Sequence, residues 1–419
     1  MAELFRVAAV VTSFARNSHA AAIVGKFMRG FPTDDGVVPP RTRVASLFMD
    51  QVHEGDIGRQ MAYQHEVPLY ESIRGALTLG GPSLAVDAVL IIGEHGDYPR
   101  TALGQEMLPR RYLFEQVCGV IAESGRPVPV FSDKHLAYRW DDARWMYETA
   151  RQLKVPLWAA SALPLAWRRP AFDHPLGEPI DEALSIGFHM LERYGFHALE
   201  SLQCQVERRA GGESGIRSVQ CLSGDAVWRA AGEGRWSRDL ADSAIGAIEG
   251  GPGRLDPGSV EDPHVFLLEY RDGLRASVLM LGDTGYVRKN AYAARRGWTV
   301  DSLEYHVETG PAHAVFGYLG LNIEDFFLTG SPPTPLERTY LTTGALEAAM
   351  ISHGSGGAVV QTPHLAIEYA PAAAAPRRPT RDRPTGASVG PWPLPEPGAT
   401  PAAQSVPIGR DGTVRGRQG

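Results

Sequence analysis

The chain has 419 residues, 43% of them hydrophobic and 21% charged, with a formal net charge of -7. At roughly 150 residues per domain this predicts two or three domains or one large α/β unit with a sizeable core. A nucleic-acid binder needs a basic stripe and a disordered regulator a thinner apolar fraction, and the bulk of the chain has neither. Cys118, Cys204 and Cys221 are odd in number and lack CxxC spacing, so neither a disulfide framework nor a thiolate zinc site is expected. The first residues carry no basic n-region, and no run reaches the roughly 20 apolar residues of a membrane span. A cytoplasmic protein without nucleic-acid or membrane partners is the expectation.

The first half alternates apolar runs with amphipathic stretches. Phe5 to Phe14 reads as a buried strand, His19 to Met28 as a helix, and Thr42 to Met49 as a strand. Asp56 to His65 reads as a helix, Val67 to Tyr70 as a strand, Glu71 to Leu79 as a helix and Val86 to Ile92 as a fourth strand. Arg110 to Ser124 (helix), Val128 to Phe131 (strand), Ala143 to Leu153 (helix) and Pro156 to Ala160 (strand) follow. This spacing is that of right-handed βαβ units, so the fold class is α/β: a Rossmann-like, doubly wound parallel sheet over residues 1–165. Over 166–370 the runs Ile216 to Cys221, His264 to Tyr270 and Leu274 to Met280 read as antiparallel strands and Pro335 to Ser352 as a helix, giving an α+β open-sheet domain. Residues 371–419 are rich in Pro, Ala and Arg and are expected to be disordered. Their seven Arg against Asp382, Glu396 and Asp411 make a net +4, leaving about -11 on the rest.

Ligands of open parallel sheets sit beyond the carboxyl ends of the strands. After the first strand stands Thr12-Ser13-Phe14-Ala15-Arg16-Asn17-Ser18-His19, where a dinucleotide fold places G-x-G-x-x-G. No glycine is present, though Ser18 can cap a helix and donate to an anion. Thr12, Ser13, Phe14 and Ser18 are the candidate cofactor loop, read equally well as a structural turn. Asp50, after the second strand, is a candidate ribose acceptor or a common turn residue.

The fourth strand ends in Gly93-Glu94-His95-Gly96-Asp97-Tyr98-Pro99, whose carboxylates and imidazole are candidate acid/base groups or hard metal ligands. The plain alternative is a solvated turn. The fifth gives Asp133-Lys134-His135, where a lysine in a cleft can be tuned for proton transfer or anchoring. Arg168 and Arg169, after the sixth, suit an anionic substrate group, although exposed Arg pairs are common. His197 and Glu200, three apart, share a face if helical. Cys118 lies among Val117, Val120 and Ile121 and reads as core.

Together these pieces resemble the Gfo/Idh/MocA family of glucose-fructose oxidoreductase and inositol dehydrogenase relatives. Asp133-Lys134-His135 is similar to its Glu-Lys-Pro signature, Gly195-x-His197-x-x-Glu200 to its Asp-x-Gly-x-His-x-x-Asp helix start, and Pro335 to Glu347 to its closing helix. The resemblance spans nearly everything before Pro371. It implies a Rossmann domain plus an open-sheet domain, NAD or NADP as cofactor, a sugar or polyol substrate, and Lys134 and His197 as catalytic pair. The main reading is an oxidoreductase acting on a sugar-like or hydroxy-acid substrate, with Glu94, His95 and Glu200 as further candidate catalytic residues. Asp97, Arg168 and Arg169 would then contact substrate, and self-association through the exposed second sheet is implied by analogy. The sequence departs from the pattern at the absent glycines, at Arg193 in place of the Asp, and at His135 in place of the Pro.

Those departures support a second reading, a dinucleotide-independent hydrolase, lyase or isomerase in which Glu94, His95, His135 and His197 hold one divalent metal ion, with Asp97 and Glu200 as further candidates. A third is a non-catalytic scaffold or ligand sensor in which these residues are relics.

Overall fold

The computed structural model describes residues 4–282, 285–307 and 314–380. The run Phe5–Val11 (β1) is buried over its last five residues, as a strand covered on both faces must be. It turns into His19–Arg29 (α1), whose first turn is capped by Ser18, the side chain accepting from Ala21 N–H. A small hairpin, Phe31–Thr33 with Gly36–Val38, precedes Thr42–Met49 (β2). Then come Gly58–Gln64 (α2), Leu69–Tyr70 (β3), Ile73–Thr78 (α3), Ala88–Ile92 (β4), Arg110–Ser124 (α4), Val130–Asp133 (β5), Trp140–Gln152 (α5) and Leu157–Ala160 (β6). All six strands are parallel, in the order β3-β2-β1-β4-β5-β6. The order reverses at β1, which is the switch point of a doubly wound sheet. Cys118 is core, its thiol pushed up to about 12 by burial.

The second half contributes Trp167–Arg169 (β7), Glu182–Gly187 (β8), Arg193–Val206 (α6), Ile216–Ser223 (β9), Asp225–Gly232 (α7) and Arg238–Gly246 (α8). His264–Tyr270 (β10), Arg275–Met280 (β11), Asn290–Arg296 (β12), Thr299–His306 (β13), Ala314–Thr329 (α9), Leu336–Gly354 (α10) and Val360–Gln361 (β14) complete it. The strands form one sheet ordered β14-β9-β10-β11-β8-β12-β13-β7. It is mixed where an antiparallel sheet was expected, because β8 runs parallel to β11 from Glu182↔Arg275 to Gly187↔Met280. The strands β8, β12 and β13 were not foreseen: their Ala, Asn and charged residues break the apolar alternation that marks a strand.

The sheet is covered on both faces. Phe266, Val278 and Met280 face α6 and α10, while Leu184, Val265, Leu279 and Ala291 face Trp236 and the α8 residues Leu240 and Ile245. The exposed sheet face implied by resemblance is therefore filled by α7 and α8. Helix α10 also packs on the first domain, where Tyr340 stacks between Trp140 and Tyr147 at 4.4 Å from each. Helix α9 lies on the small hairpin, and Gly317 is required there: a Cβ would stand 2.0 Å from Pro32 O. Residues 371–380 reach α9, where the Asn322 side-chain amide donates to Arg377 C=O at 2.8 Å and accepts Arg377 N–H at 2.9 Å. The expected disordered stretch 381–419 lies outside the described residues.

Candidate active site

Strand register assembles the site. Val11 pairs with both Met49 and Ile92, Ile91 with Ser132, and Asp133 with Ala160. The next residue of each strand, Thr12, Asp50, Gly93, Lys134 and Ser161, therefore leaves the sheet at one level along its carboxyl edge.

At the centre stands Glu94. One carboxylate oxygen accepts from Lys134 Nζ at 3.0 Å, the other from Arg110 Nη2 at 2.5 Å, and Arg193 Nε stands 3.7 Å away. Glu94, Lys134 and Arg110 are each 2% exposed or less. Burial alone would raise the Glu94 carboxyl, but Lys134, Arg110, His19 and His95 outweigh it and hold it well below its usual range. Arg193 also pairs with Glu106, whose backbone N–H donates to Glu192 Oε2 at 2.7 Å. His135 is buried with both ring nitrogens unpartnered, 4.0 Å from Glu192 by Nε2, and Nε and Nη1 of Arg110 are likewise unpartnered. Burial, then Arg110 and Lys134, push the His135 imidazole well below its usual value.

Three further imidazoles complete the cluster. His197 Nδ1 lies 2.6 Å from Ser161 Oγ, which also accepts Leu163 N–H at 3.1 Å. Burial, Lys134 and His19 hold His197 well below its usual value. His95 is pushed down to about 4 by burial and by His19. It has a left-handed φ of 72°, rare for a residue with a Cβ, which turns its ring toward α1 so that Nδ1 accepts His19 N–H at 3.5 Å. His19 in turn places Nδ1 2.6 Å from Asp133 Oδ2.

The structure thus places Lys134, His197, Glu94, His95 and His135 in one cluster, together with His19, Asp133, Arg110, Arg193 and Ser161. It does not bring Glu200 in. That side chain turns from His197 toward α10, accepting from Thr342 Oγ1 at 2.7 Å and Thr339 Oγ1 at 3.3 Å, and burial raises its carboxyl. Arg168 is also elsewhere: it bonds Pro164 O, pairs with Asp173 and lies over the Tyr305 ring. Arg169 pairs with Glu304 and Glu249. Asp97 stays exposed at the rim. As for the metal alternative, no group of three or more His, Cys, Asp or Glu among the described residues is placed to hold an ion.

A dinucleotide would lie along the same edge. Phe14 points into the core rather than the crevice: it is 1% exposed, and its Cβ lies 2.7 Å from where a side chain on Gly58 would start. Thr12 Oγ1 donates to Glu94 O at 3.0 Å, and Ser18 Oγ both caps α1 and donates to Ala15 O at 2.7 Å. Ser13 is buried beside them. Asp50 accepts the Tyr98 hydroxyl at 2.6 Å, and Gln51 bonds both the N–H and the C=O of Asp97, at 2.8 and 3.1 Å. The loop after β4 is thereby tied to the loop after β2, across the end of β1. A dinucleotide needs a close backbone approach and a bare helix terminus at this point. The residues present do not fit one.

The fold these features define is that of the two-domain dehydrogenases: a six-stranded Rossmann-type sheet followed by a second, mixed-sheet domain. Among solved structures, the chain is similar to GenD2 from gentamicin A biosynthesis in complex with NAD, at TM-score 0.55 and 14% identity, covering 86% of this chain and 97% of that one. It is similar at TM-score 0.55 to myo-inositol dehydrogenase from Lactobacillus casei in complex with NAD(H) and myo-inositol, at 11% identity over 86% and 97% of the two chains. A probable dehydrogenase from Thermotoga maritima follows at TM-score 0.53 and 12% identity, over 86% and 100%. At such identities the likeness shows the fold alone. No protein-family model and no curated protein matches the chain by sequence.

Proposed function

We propose that the chain is an enzyme that moves a proton on a hydroxylated small molecule, sugar-like or a hydroxy acid, with Lys134 as the group that gives or takes it. The observation that carries this is the buried Lys134 amine, oriented by the Glu94 carboxylate that it shares with Arg110, with His197 in the same field. A stability role alone does not call for so many ionisable groups at a parallel sheet's carboxyl edge, where side chains replaced by packed apolar residues often leave a protein as stable or more so. An NAD(P)-dependent oxidoreductase is the form of this reading that the similar structures suggest. Within the cluster His19, His95, Arg193 and His197 are only partly buried, so substrate approaches Lys134 from their side.

The test uses inositols, aldohexoses, ketohexoses and 2-hydroxy acids with wild type, Lys134→Met and Lys134→Arg. Absorbance is followed with NAD or NADP, and solvent-deuterium incorporation without them. Wild type should act in at least one assay, and both variants should lose at least roughly 100-fold, the scale of general acid–base catalysis. Lys134→Arg keeps the charge opposite Glu94 and so keeps the fold. Inactive wild type, or unchanged variants, would reject the proposal.

A further inference from the structure

We infer that His19, oriented by Asp133, is the proton-accepting base of this site, and that the reaction is a dinucleotide-independent isomerisation next to a substrate carbonyl. This rests on the reading of Lys134 given above and decides between its redox and non-redox forms.

The geometry is that of a carboxylate–imidazole dyad. Asp133 is 1% exposed and lies 2.6 Å from His19 Nδ1, so it accepts that nitrogen's hydrogen and leaves the lone pair on Nε2. The His19 side chain is 16% exposed, so it is a group that substrate can reach. His95 and Phe316 hold the ring, at 5.3 and 5.1 Å between centroids. The dyad stands at the first residue of α1, where the fold presents bare N–H groups to a pyrophosphate. Here Ser18 takes Ala21 N–H and His95 takes His19 N–H. The Tyr98–Asp50 and Gln51–Asp97 bonds close the way in over β2. The place has been built over by groups that handle protons.

The step balances without an electron carrier. Nε2 of His19 takes a proton from the carbon beside the carbonyl; the C–H electron pair becomes a C=C bond, and the carbonyl pair moves to oxygen. Lys134 gives that oxygen its proton. Reprotonation on the neighbouring carbon, with the proton returned from the other oxygen to Lys134, yields the isomer and restores both groups. Nothing is oxidised or reduced overall.

The experiment runs the full chain in heavy water without nucleotide, on aldohexoses and ketohexoses, following loss of the proton signal next to the carbonyl. Melting midpoints are recorded with NAD, NADH, NADP and NADPH, since a ligand of the folded state must raise the midpoint. Exchange is expected in wild type and a loss of at least roughly 100-fold in His19→Gln. Asp133→Asn, a positioning change, should shift the pH profile of exchange as well as its rate. No nucleotide should move the midpoint; midpoints of the variants confirm that they fold. A nucleotide that raises the midpoint, or exchange that survives His19→Gln but not Lys134→Met, overturns this inference and leaves the Lys134 reading standing. Wild type without exchange also overturns it, and if nucleotide-linked turnover is absent too, the Lys134 reading falls with it.

Discussion

Lys134 Nζ lies 3.0 Å from Glu94 Oε1, with both side chains 2% exposed. Two cations share this one carboxylate, so removing its charge leaves both buried without compensation. Glu94→Gln should cost about 3–5 kcal/mol, as breaking a buried pair does, and urea unfolding measures it. A change below about 1 kcal/mol would show that water, not Glu94, compensates the pair.

Acid should unfold the protein through this cluster. Glu94 has a folded-state carboxyl held well below 4.5, so its contribution is full above the unfolded value and is lost as pH falls through the folded one. His95 sits at about 4 against 6.5, so between those values the unfolded chain binds more protons and stability falls as pH drops. Melting midpoints from pH 7 to 4 should decline, and His95→Asn should flatten the part above pH 4. Asparagine tolerates the left-handed backbone at this position, which keeps the comparison clean.

Glu200 belongs to the packing of α6 on α10. Its Oε1 takes both threonine hydroxyls, and an amide oxygen can do the same. Glu200→Gln should keep activity within about threefold and shift the melting midpoint by only a few degrees. A loss comparable to that of Lys134→Met would return Glu200 to the chemistry.

Among the described residues both faces of the second sheet are packed, the outer one under Trp236, Leu240 and Ile245. Light scattering coupled to size exclusion should therefore give a monomer near 45.4 kDa. A stable dimer would require another surface.

Much of the first domain was legible, because a parallel strand buried on both faces is a short aliphatic run and a helix after it is periodic. Thr42–Met49 and Arg110–Ser124 have the bounds their patterns predict. The rule that chemistry follows strand ends located Glu94, His95, Lys134 and His135. The same rule points to Ser161, and His19 sits at the start of the helix that follows the first strand. Arg110 carries no local signal: it opens α4, sixteen residues beyond Glu94, and only packing of α4 beside β4 joins them. The pairing of His197 with Glu200 failed because residues three apart on a helix diverge enough to meet different neighbours.

Periodicity and strand-end position thus settle, from the amino acids alone, the alternation of elements, the parallel sheet and the edge where reactive groups gather. These are local properties, set by which residues a strand or helix must bury. Which groups touch is a long-range matter, decided by register and by side chains arriving from distant loops. So only the tertiary structure shows that Asp133 orients His19, that Tyr98 and Gln51 close the crevice at β1, and that α7 and α8 cover the second sheet.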